Sequence, residues 1–397
     1  MAMCISSIAK TSLKLFGKNI VKQVVCTAVR HLYSPNSMGI SGYMNARDYV
    51  KSQFVGVDHL FFQKMKEFIN KQDGSLIFTE DLKTMLHLVQ KREEDLELLY
   101  EMLKKYNSQN NLRFGNFVFG TVAMRAFYHL DEVDLALKAF KDPQLDGFFD
   151  QIMTYQLLMD MLYNHQRYAE VREIYDVVKT KNVNGITHPR NPFIIVASAC
   201  FKENTKESYD YILNLFKEVQ QRGYEVPRRA IAVTAKLALK QNAPDVALEI
   251  ASLARNARYI DVRCVKVEAF AALKRIDEIM VYFRDTLQAD SANRRKQSYF
   301  KDTIEAVDKL VESEQLPENH DLIRLLNEIK QHDYIQDEVL ESHICSTIEL
   351  LKQKEKPWER QRPGSQPYRK RFGAKTTYSE RTFTDRGFGR SEANTAM

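Results

Sequence analysis

Apolar side chains recur at helical spacing through most of the chain, and short polar breaks divide the pattern into paired segments. In residues 153–162, apolar positions start at Tyr155 and follow at i+3, i+4 and i+7, which is the spacing of one helix face. A polar break at 164–167 precedes a second apolar stripe, which runs from Val171 to Val178. This pattern predicts one helix–turn–helix unit.

The unit recurs with a period of about 35 residues. Equivalent positions in successive second helices are Tyr100, Phe140, Tyr175, Phe216, Ala251 and Tyr282. One hairpin cannot cover its own apolar faces, whereas stacked hairpins form a superhelix with a concave surface. The sequence therefore predicts an all-α superhelical solenoid of helix-turn-helix repeats over residues 48–287. The first helix of each pair is expected to line the concave surface.

Two further segments follow the predicted solenoid. Residues 288–351 keep a helical apolar pattern without the repeat spacing, and we expect them to form a helical C-terminal cap. Residues 352–397 are rich in Pro, Gly and Arg with interleaved aromatic side chains. That composition predicts a disordered basic tail.

The N-terminal segment has the composition of a mitochondrial transit peptide. Residues 1–47 hold six basic and no acidic residues. Lysine recurs there at every fourth position: Lys10, Lys14, Lys18 and Lys22. Residues 30–34 resemble a matrix-protease cleavage sequence. We therefore predict a transit peptide over 1–34 and a location in the mitochondrial matrix. The alternative is an ordinary amphipathic surface helix.

Charge and cysteine usage limit the remaining classes. The net charge is +6, but both ends are basic and the stretch 48–351 carries about −7. The five cysteines are far apart and form no CxxC pair, so we predict no zinc site, no disulfide framework and no cofactor. No apolar run reaches the roughly 18 residues of a membrane span. We therefore expect no integral membrane contact.

The repeats resemble a known family. Residues 154–175 and 215–224 resemble the pentatricopeptide repeat consensus, the second stretch covering the second half of a unit. Residues 128–131 and 141–149 show a closer resemblance to animal mitochondrial members of that family. The resemblance implies maturation, processing or stabilisation of mitochondrial transcripts, in support of the respiratory chain. It names mitochondrial RNA as the partner, with RNA-processing enzymes or the mitochondrial ribosome as further candidates.

In such proteins one base is read per repeat, by a polar residue near the start of the first helix and another at the end of the repeat. The first position falls on Thr121, Gln156 and Ala232, and on about Ile194 in the repeat that carries the insertion. The second falls on Gln151, Ile186 and Pro227. In no unit does Thr or Asn at the first position pair with Asp or Asn at the second, which is the combination expected for recognition of a specific base. We therefore expect RNA binding without a clear base code.

Phosphate contacts need only positive charge on the right face. The side chains expected to face the groove are Arg125, Arg190, Lys202, Arg228, Arg229, Lys236 and Lys240. For any single one of them, a solvated helix residue is the preferred alternative, and the set as a whole favours RNA more. In the tail, the candidates for stacking and phosphate neutralisation are Trp358, Arg369, Lys370, Arg371 and Arg386. The tail could instead dock on a protein, or have no partner.

The sequence shows no catalytic motif. HExxH, GxSxG and GxxxxGK[ST] are all missing, and the acidic residues read as solvated helix charge. We predict a non-enzyme that binds RNA. A second hypothesis is a non-catalytic protein-interaction scaffold associated with the mitochondrial ribosome, which the acidic body favours. A processing nuclease is a third, weaker hypothesis.

Overall fold

The computed structural model describes residues 31–70, 76–109, 117–255, 259–288 and 297–349. Most of the predicted transit peptide lies outside the described residues, and so does the tail with Trp358, Arg369, Lys370, Arg371 and Arg386. At 31–34 the predicted transit peptide overlaps the described chain. Leu32 and Tyr33 are buried there, with 0% and 3% of their surface exposed.

Helices dominate the described residues. They are α1 (Ile40–Gln53), α2 (Asp58–Asn70), α3 (Thr79–Leu88), α4 (Glu93–Ser108), α5 (Gly120–Leu130), α6 (Val133–Lys141), α7 (Ile152–Asn164), α8 (Tyr168–Lys181), α9 (Arg190–Glu203), α10 (Lys206–Gln221), α11 (Arg228–Lys240), α12 (Pro244–Ser252), α13 (Ile260–Ala272), α14 (Ile276–Gln288), α15 (Lys301–Ser313), α16 (Asp321–Gln331) and α17 (Leu340–Ile344). Two short strands, β1 (Tyr299–Phe300) and β2 (Ile335–Gln336), pair in parallel. None of the described helices is both long and apolar enough to cross a bilayer.

The helices stack as pairs. Each odd-numbered helix from α1 to α13 packs against the next odd-numbered helix, up to α15, so the first helices of the pairs form one continuous layer. Apolar side chains between neighbouring pairs form a single core. The predicted all-α solenoid of helix-turn-helix repeats is confirmed.

The turn inside each pair repeats as well. From α5/α6 to α15/α16, each of these turns contains one residue with positive φ: Asp131, Gln166, Asn204, Asn242, Lys274 and Gln315. A single left-handed residue reverses the chain tightly after a helix. The same device in six pairs explains why the pairs stack in a regular way.

The stack is longer than the boundaries 48 and 287 suggest. It begins with α1 at Ile40, and α15 and α16 pack on α13 and α14. The start of α15 lies 41 residues after that of α13, the same step as from α3 to α5. The first part of the predicted cap therefore continues the repeat, and α17 follows it.

We expect Gly120→Ala to destabilise the protein by about 2 kcal/mol, within the usual range for overpacking. A Cβ at Gly120 would overlap the Phe148 carbonyl oxygen, which is backbone and cannot turn away. Gly42→Ala is the matched control, because a Cβ at this helical glycine meets nothing within 4 Å. It should stabilise by about 0.5–1 kcal/mol. Urea denaturation measures both, and equal effects would contradict the packing argument.

Candidate nucleic-acid interface

The layer of first helices α5, α7, α9 and α11 carries most of the predicted RNA-binding side chains; we call their shared surface the first-helix face. An N-terminal segment, residues 31–39, lies on it; this segment forms a β-bridge at Tyr33 and turns at residues 35–39. Arg125 Nε donates to the Met38 carbonyl oxygen at 3.0 Å, and Gln156 Nε2 lies 3.2 Å from Met38 Sδ. The Tyr33 hydroxyl donates to the Asn191 carbonyl oxygen at 3.4 Å.

A second segment, residues 340–349, covers the α11 side of the same face. The Arg229 guanidinium donates to the carbonyl oxygens of His343 and Ile344 at 2.8 and 2.6 Å. Lys240 Nζ pairs with Glu341 at 2.9 Å. Burial is the main cause that lowers the pKa of Arg229.

The two segments are joined to each other. Tyr33 and Ile348 form a parallel β-bridge. The Ile348 N–H donates to the Leu32 carbonyl oxygen at 2.8 Å, and the Ser34 N–H donates to the Ile348 carbonyl oxygen at 3.1 Å. Together, residues 31–39 and 340–349 form a clasp over the first-helix face, and we use that name below.

A buried carboxylate lies beneath the clasp. Asp160 of α7 is fully buried and accepts from the Tyr128 hydroxyl at 2.8 Å and from Asn164 Nδ2 at 3.1 Å. Asn164 also contacts His31 Nδ1 at 2.9 Å. Burial raises the pKa of Asp160 to about 6, against the opposing effect of those two hydrogen bonds.

Most of the predicted RNA-binding residues that the structure describes are therefore engaged within the chain. Gln156 is 1% exposed and accepts a hydrogen bond from Asn191, so it cannot meet a base while the clasp is in place. Thr121 is half-buried, with its hydroxyl 3.3 Å from that of Thr154. Lys202 lies beside the Cys345 thiol, whose pKa is raised mainly by burial.

Lys236 is engaged with the next helix pair rather than with the clasp. Its ammonium forms an ion pair with Glu268 of α13, and the two side chains are 15% and 8% exposed. Thr303 donates to the other Glu268 oxygen at 3.0 Å. Burial raises the pKa of Glu268, and the Lys236 charge opposes that shift. Within the described residues, Lys236 faces a buried partner.

Arg190 and Arg228 differ from the other candidates, because both line one open cleft of about 600 Å³. Each is the first residue of its helix, α9 and α11. Tyr224, Arg255 and Tyr259 lie in the same wall, and we call this site the arginine–tyrosine cleft. Both tyrosines are accessible, with 37% and 44% exposed.

Positive charge and aromatic surface meet in this cleft. The Arg228 guanidinium lies 4.1 Å from the centre of the Tyr259 ring and 3.6 Å from an Asp261 oxygen. Arg255 pairs with Glu225 at 3.3 Å. The helices α9 and α11 begin here without a side-chain cap and without an acid in the first turn, so their N-terminal amides add positive potential. The helix α13 also begins here, but its first turn carries Asp261.

Sequence reasoning missed Tyr224, Tyr259 and Arg255, although a signal was present. Tyr224 and Tyr259 stand 35 residues apart, one repeat, and each precedes a first helix. His188 also lines the cleft, and its Nδ1 lies 3.0 Å from the Tyr175 hydroxyl. Burial lowers the pKa of His188, which favours a neutral ring at pH 7. In the described part of the chain, no group of three or more His, Cys, Asp or Glu side chains could hold a metal ion.

Comparison with known proteins agrees with the fold. No family model matches the chain. The chain is 37% identical to pentatricopeptide repeat-containing protein 2, mitochondrial, of Danio rerio. The alignment spans 172 residues, which is 43% of this chain and 44% of that protein. The Xenopus laevis protein of the same name is 30% identical over 54% of the chain and 55% of its own length.

The Mus musculus protein of that name is 26% identical over 70% of the chain and 72% of its own length. The chain thus spans about half the length of the first two relatives. Matching sequence and stacked helix pairs lead to the same result. The chain resembles the pentatricopeptide repeat family and, within it, the mitochondrial pentatricopeptide repeat-containing protein 2.

Proposed function

We propose that this protein is a non-catalytic RNA-binding factor of the mitochondrial matrix that acts in the maturation, processing or stabilisation of mitochondrial transcripts and so supports the respiratory chain. The relatives are named as mitochondrial pentatricopeptide repeat proteins, which supports both the compartment and the RNA. The observation that carries the proposal is the arginine–tyrosine cleft. It pairs guanidinium groups with accessible aromatic rings at three helix N-termini.

The chemistry of the cleft suits single-stranded RNA. Arginine neutralises phosphate and can bind two of its oxygens at once, and tyrosine offers a face on which any base can stack. Neither interaction reads a particular base. This is consistent with the lack of a base code at Thr121, Gln156 and the positions paired with them.

We expect the double variant Arg190→Ala/Arg228→Ala to bind single-stranded RNA about tenfold more weakly, with a shallower salt dependence. Each lost phosphate contact on a single strand should reduce the slope of log K against log salt by about 0.7. The measurement is fluorescence anisotropy with a labelled RNA of mixed sequence across a salt series.

Arg324→Ala is the matched control for this test. Arg324 is an exposed arginine on α16 and lies 3.3 Å from Asp321, much as Arg228 lies near Asp261. It should leave both the affinity and the slope unchanged. If the double variant and the control behave alike, the cleft does not bind RNA.

A protein-interaction scaffold associated with the mitochondrial ribosome is the second candidate. The first-helix face favours it, because that face already holds a peptide segment of the chain. Crosslinking in mitochondria distinguishes the two. Enrichment of defined transcript sites supports the RNA factor, whereas proteins or ribosomal RNA alone support the scaffold.

The predicted transit peptide would need a boundary before Leu32 if the clasp is part of the mature protein. A cut after Ser34 would remove the Leu32 and Tyr33 side chains from their buried positions. N-terminal sequencing of the protein from mitochondria locates the cut.

A further inference from the structure

We propose that the clasp and single-stranded RNA compete for the first-helix face, so that RNA held in the arginine–tyrosine cleft extends along α5 to α11 only when the clasp opens. This inference rests on the proposed RNA binding. It adds a second contact surface and the segment that controls access to it.

The clasp occupies the groups that phosphates would use. Arg229 donates to two carbonyl oxygens and lies 3.3 Å from the Ser346 hydroxyl, an arrangement of oxygen acceptors that a phosphate also offers. Arg125 donates to the Met38 carbonyl oxygen. These guanidinium groups already have their acceptors while the clasp is closed.

Opening the clasp would change the charge of the face. The Glu341 carboxylate, which pairs with Lys240, is part of the clasp and would leave with it. Arg125, Arg229 and Lys240 would then lose their acceptors while remaining on the rigid first helices. Two acids, Asp160 and Asp261, would remain near these three cations. The opened face would carry net positive charge, which attracts a polyanion rather than an acidic protein.

The face and the cleft are continuous. Arg190 in the cleft immediately precedes Asn191, whose carbonyl oxygen receives the Tyr33 hydroxyl and whose amide donates to Gln156. Arg228 in the cleft immediately precedes Arg229 under the clasp. A strand bound in the cleft therefore meets the edge of the clasp within one residue on both α9 and α11.

Few interactions join the two segments to each other. Two backbone hydrogen bonds and one β-bridge link residues 32–34 to Ile348, and Thr347 donates to the His31 carbonyl oxygen at 2.8 Å. Neither segment contributes a helix to the layer of first helices. Opening would also expose Leu32, Tyr33, Met38, Leu340 and Ile344, which are at most 3% exposed, so the closed clasp is the resting state with which RNA must compete.

A disulfide across the bridge tests the competition within one molecule. Tyr33→Cys and Ile348→Cys, combined with Cys345→Ser to prevent mispairing, place two thiols at paired positions of neighbouring strands, a separation that suits a disulfide. Oxidised protein holds the clasp shut, and reduction releases it in a chain that has also lost the Tyr33 contact. The single variant Tyr33→Cys, treated with the same reductant, controls for the reductant itself.

We expect the reduced double-cysteine protein to bind RNA at least tenfold more tightly than the oxidised form, because apparent affinity scales with the open fraction. In the wild-type chain, RNA should also accelerate hydrogen exchange at the Ser34 and Ile348 amides. Equal affinities in the two redox states and unchanged exchange, with dependence on Arg190 and Arg228 retained, would overturn the competition alone. An absence of RNA binding in wild type and in both redox states would overturn the proposed function as well.

Discussion

Lys236→Met should destabilise the protein by about 3 kcal/mol at pH 7.5. The substitution leaves the Glu268 carboxyl buried without its cation, and breaking a buried pair at one end typically costs 3–5 kcal/mol. Protonation of Glu268 offers partial relief, because burial already raises its pKa. The loss should therefore shrink as the pH falls. Urea denaturation at pH 5.5 and 7.5 measures both effects.

The double variant Lys236→Met/Glu268→Gln serves as the control. Glutamine keeps an oxygen for the Thr303 hydroxyl and removes the buried charge. The carboxylate that remains nearby, Asp302, lies 3.9 Å from Lys236 Nζ and is 24% exposed. We expect it to recover most of the lost stability. If the Lys236→Met protein were as stable as wild type and bound RNA more weakly, Lys236 would instead have the RNA-binding role predicted from the sequence.

Much of the fold could be predicted from the local sequence pattern. The i, i+3, i+4, i+7 stripes and the period near 35 follow from helix geometry and from the need of each pair to bury its faces, and both are readable along the chain. The boundary at 287 was predicted from the aromatic markers, which stop before the stacked pairs do. The aromatic markers fade after Tyr282, although the step from α13 to α15 is the same 41 residues found from α3 to α5.

The candidate site was only partly predictable. Arg190 and Arg228 are 38 residues apart, and both start a first helix, so their common edge follows from the repeat. The burial of Gln156 does not, because it depends on Met38, which lies 118 residues earlier. Contacts between residues so far apart in the sequence leave no periodic pattern. Lys236 lies between these cases, since Glu268 is 32 residues on and in the adjacent first helix.

Such long-range contacts affect what the family resemblance can predict. The resemblance places RNA on the layer of first helices, and the same layer holds the clasp. A position such as Gln156 therefore corresponds to a family position by its place in the repeat, but its accessibility differs from the accessibility that this correspondence implies. The cleft keeps Arg190 and Arg228 accessible in the closed state, so the two surfaces can be tested separately.

The stability of the Asp160→Asn variant relative to wild type should increase as the pH rises. The pKa of Asp160 is raised in the folded state to about 6, so the folded protein binds this proton more tightly than the unfolded chain does. Wild-type stability from this group is greatest below the unfolded pKa and is lost as the pH rises through about 4 to 6. Asparagine cannot titrate and keeps an oxygen for the Tyr128 hydroxyl.

The stability difference between Asp160→Asn and wild type should therefore grow by about 2 kcal/mol between pH 4.5 and 7.5, since one pKa unit corresponds to about 1.4 kcal/mol. Urea denaturation at the two pH values gives the difference. Asp176→Asn is the matched control, because Asp176 also accepts from a tyrosine hydroxyl, that of Tyr211 at 3.0 Å, but its side chain is 51% exposed. A difference that stays constant with pH, or one that Asp176→Asn reproduces, would mean that Asp160 is solvated. The clasp would then not seal this part of the first-helix face.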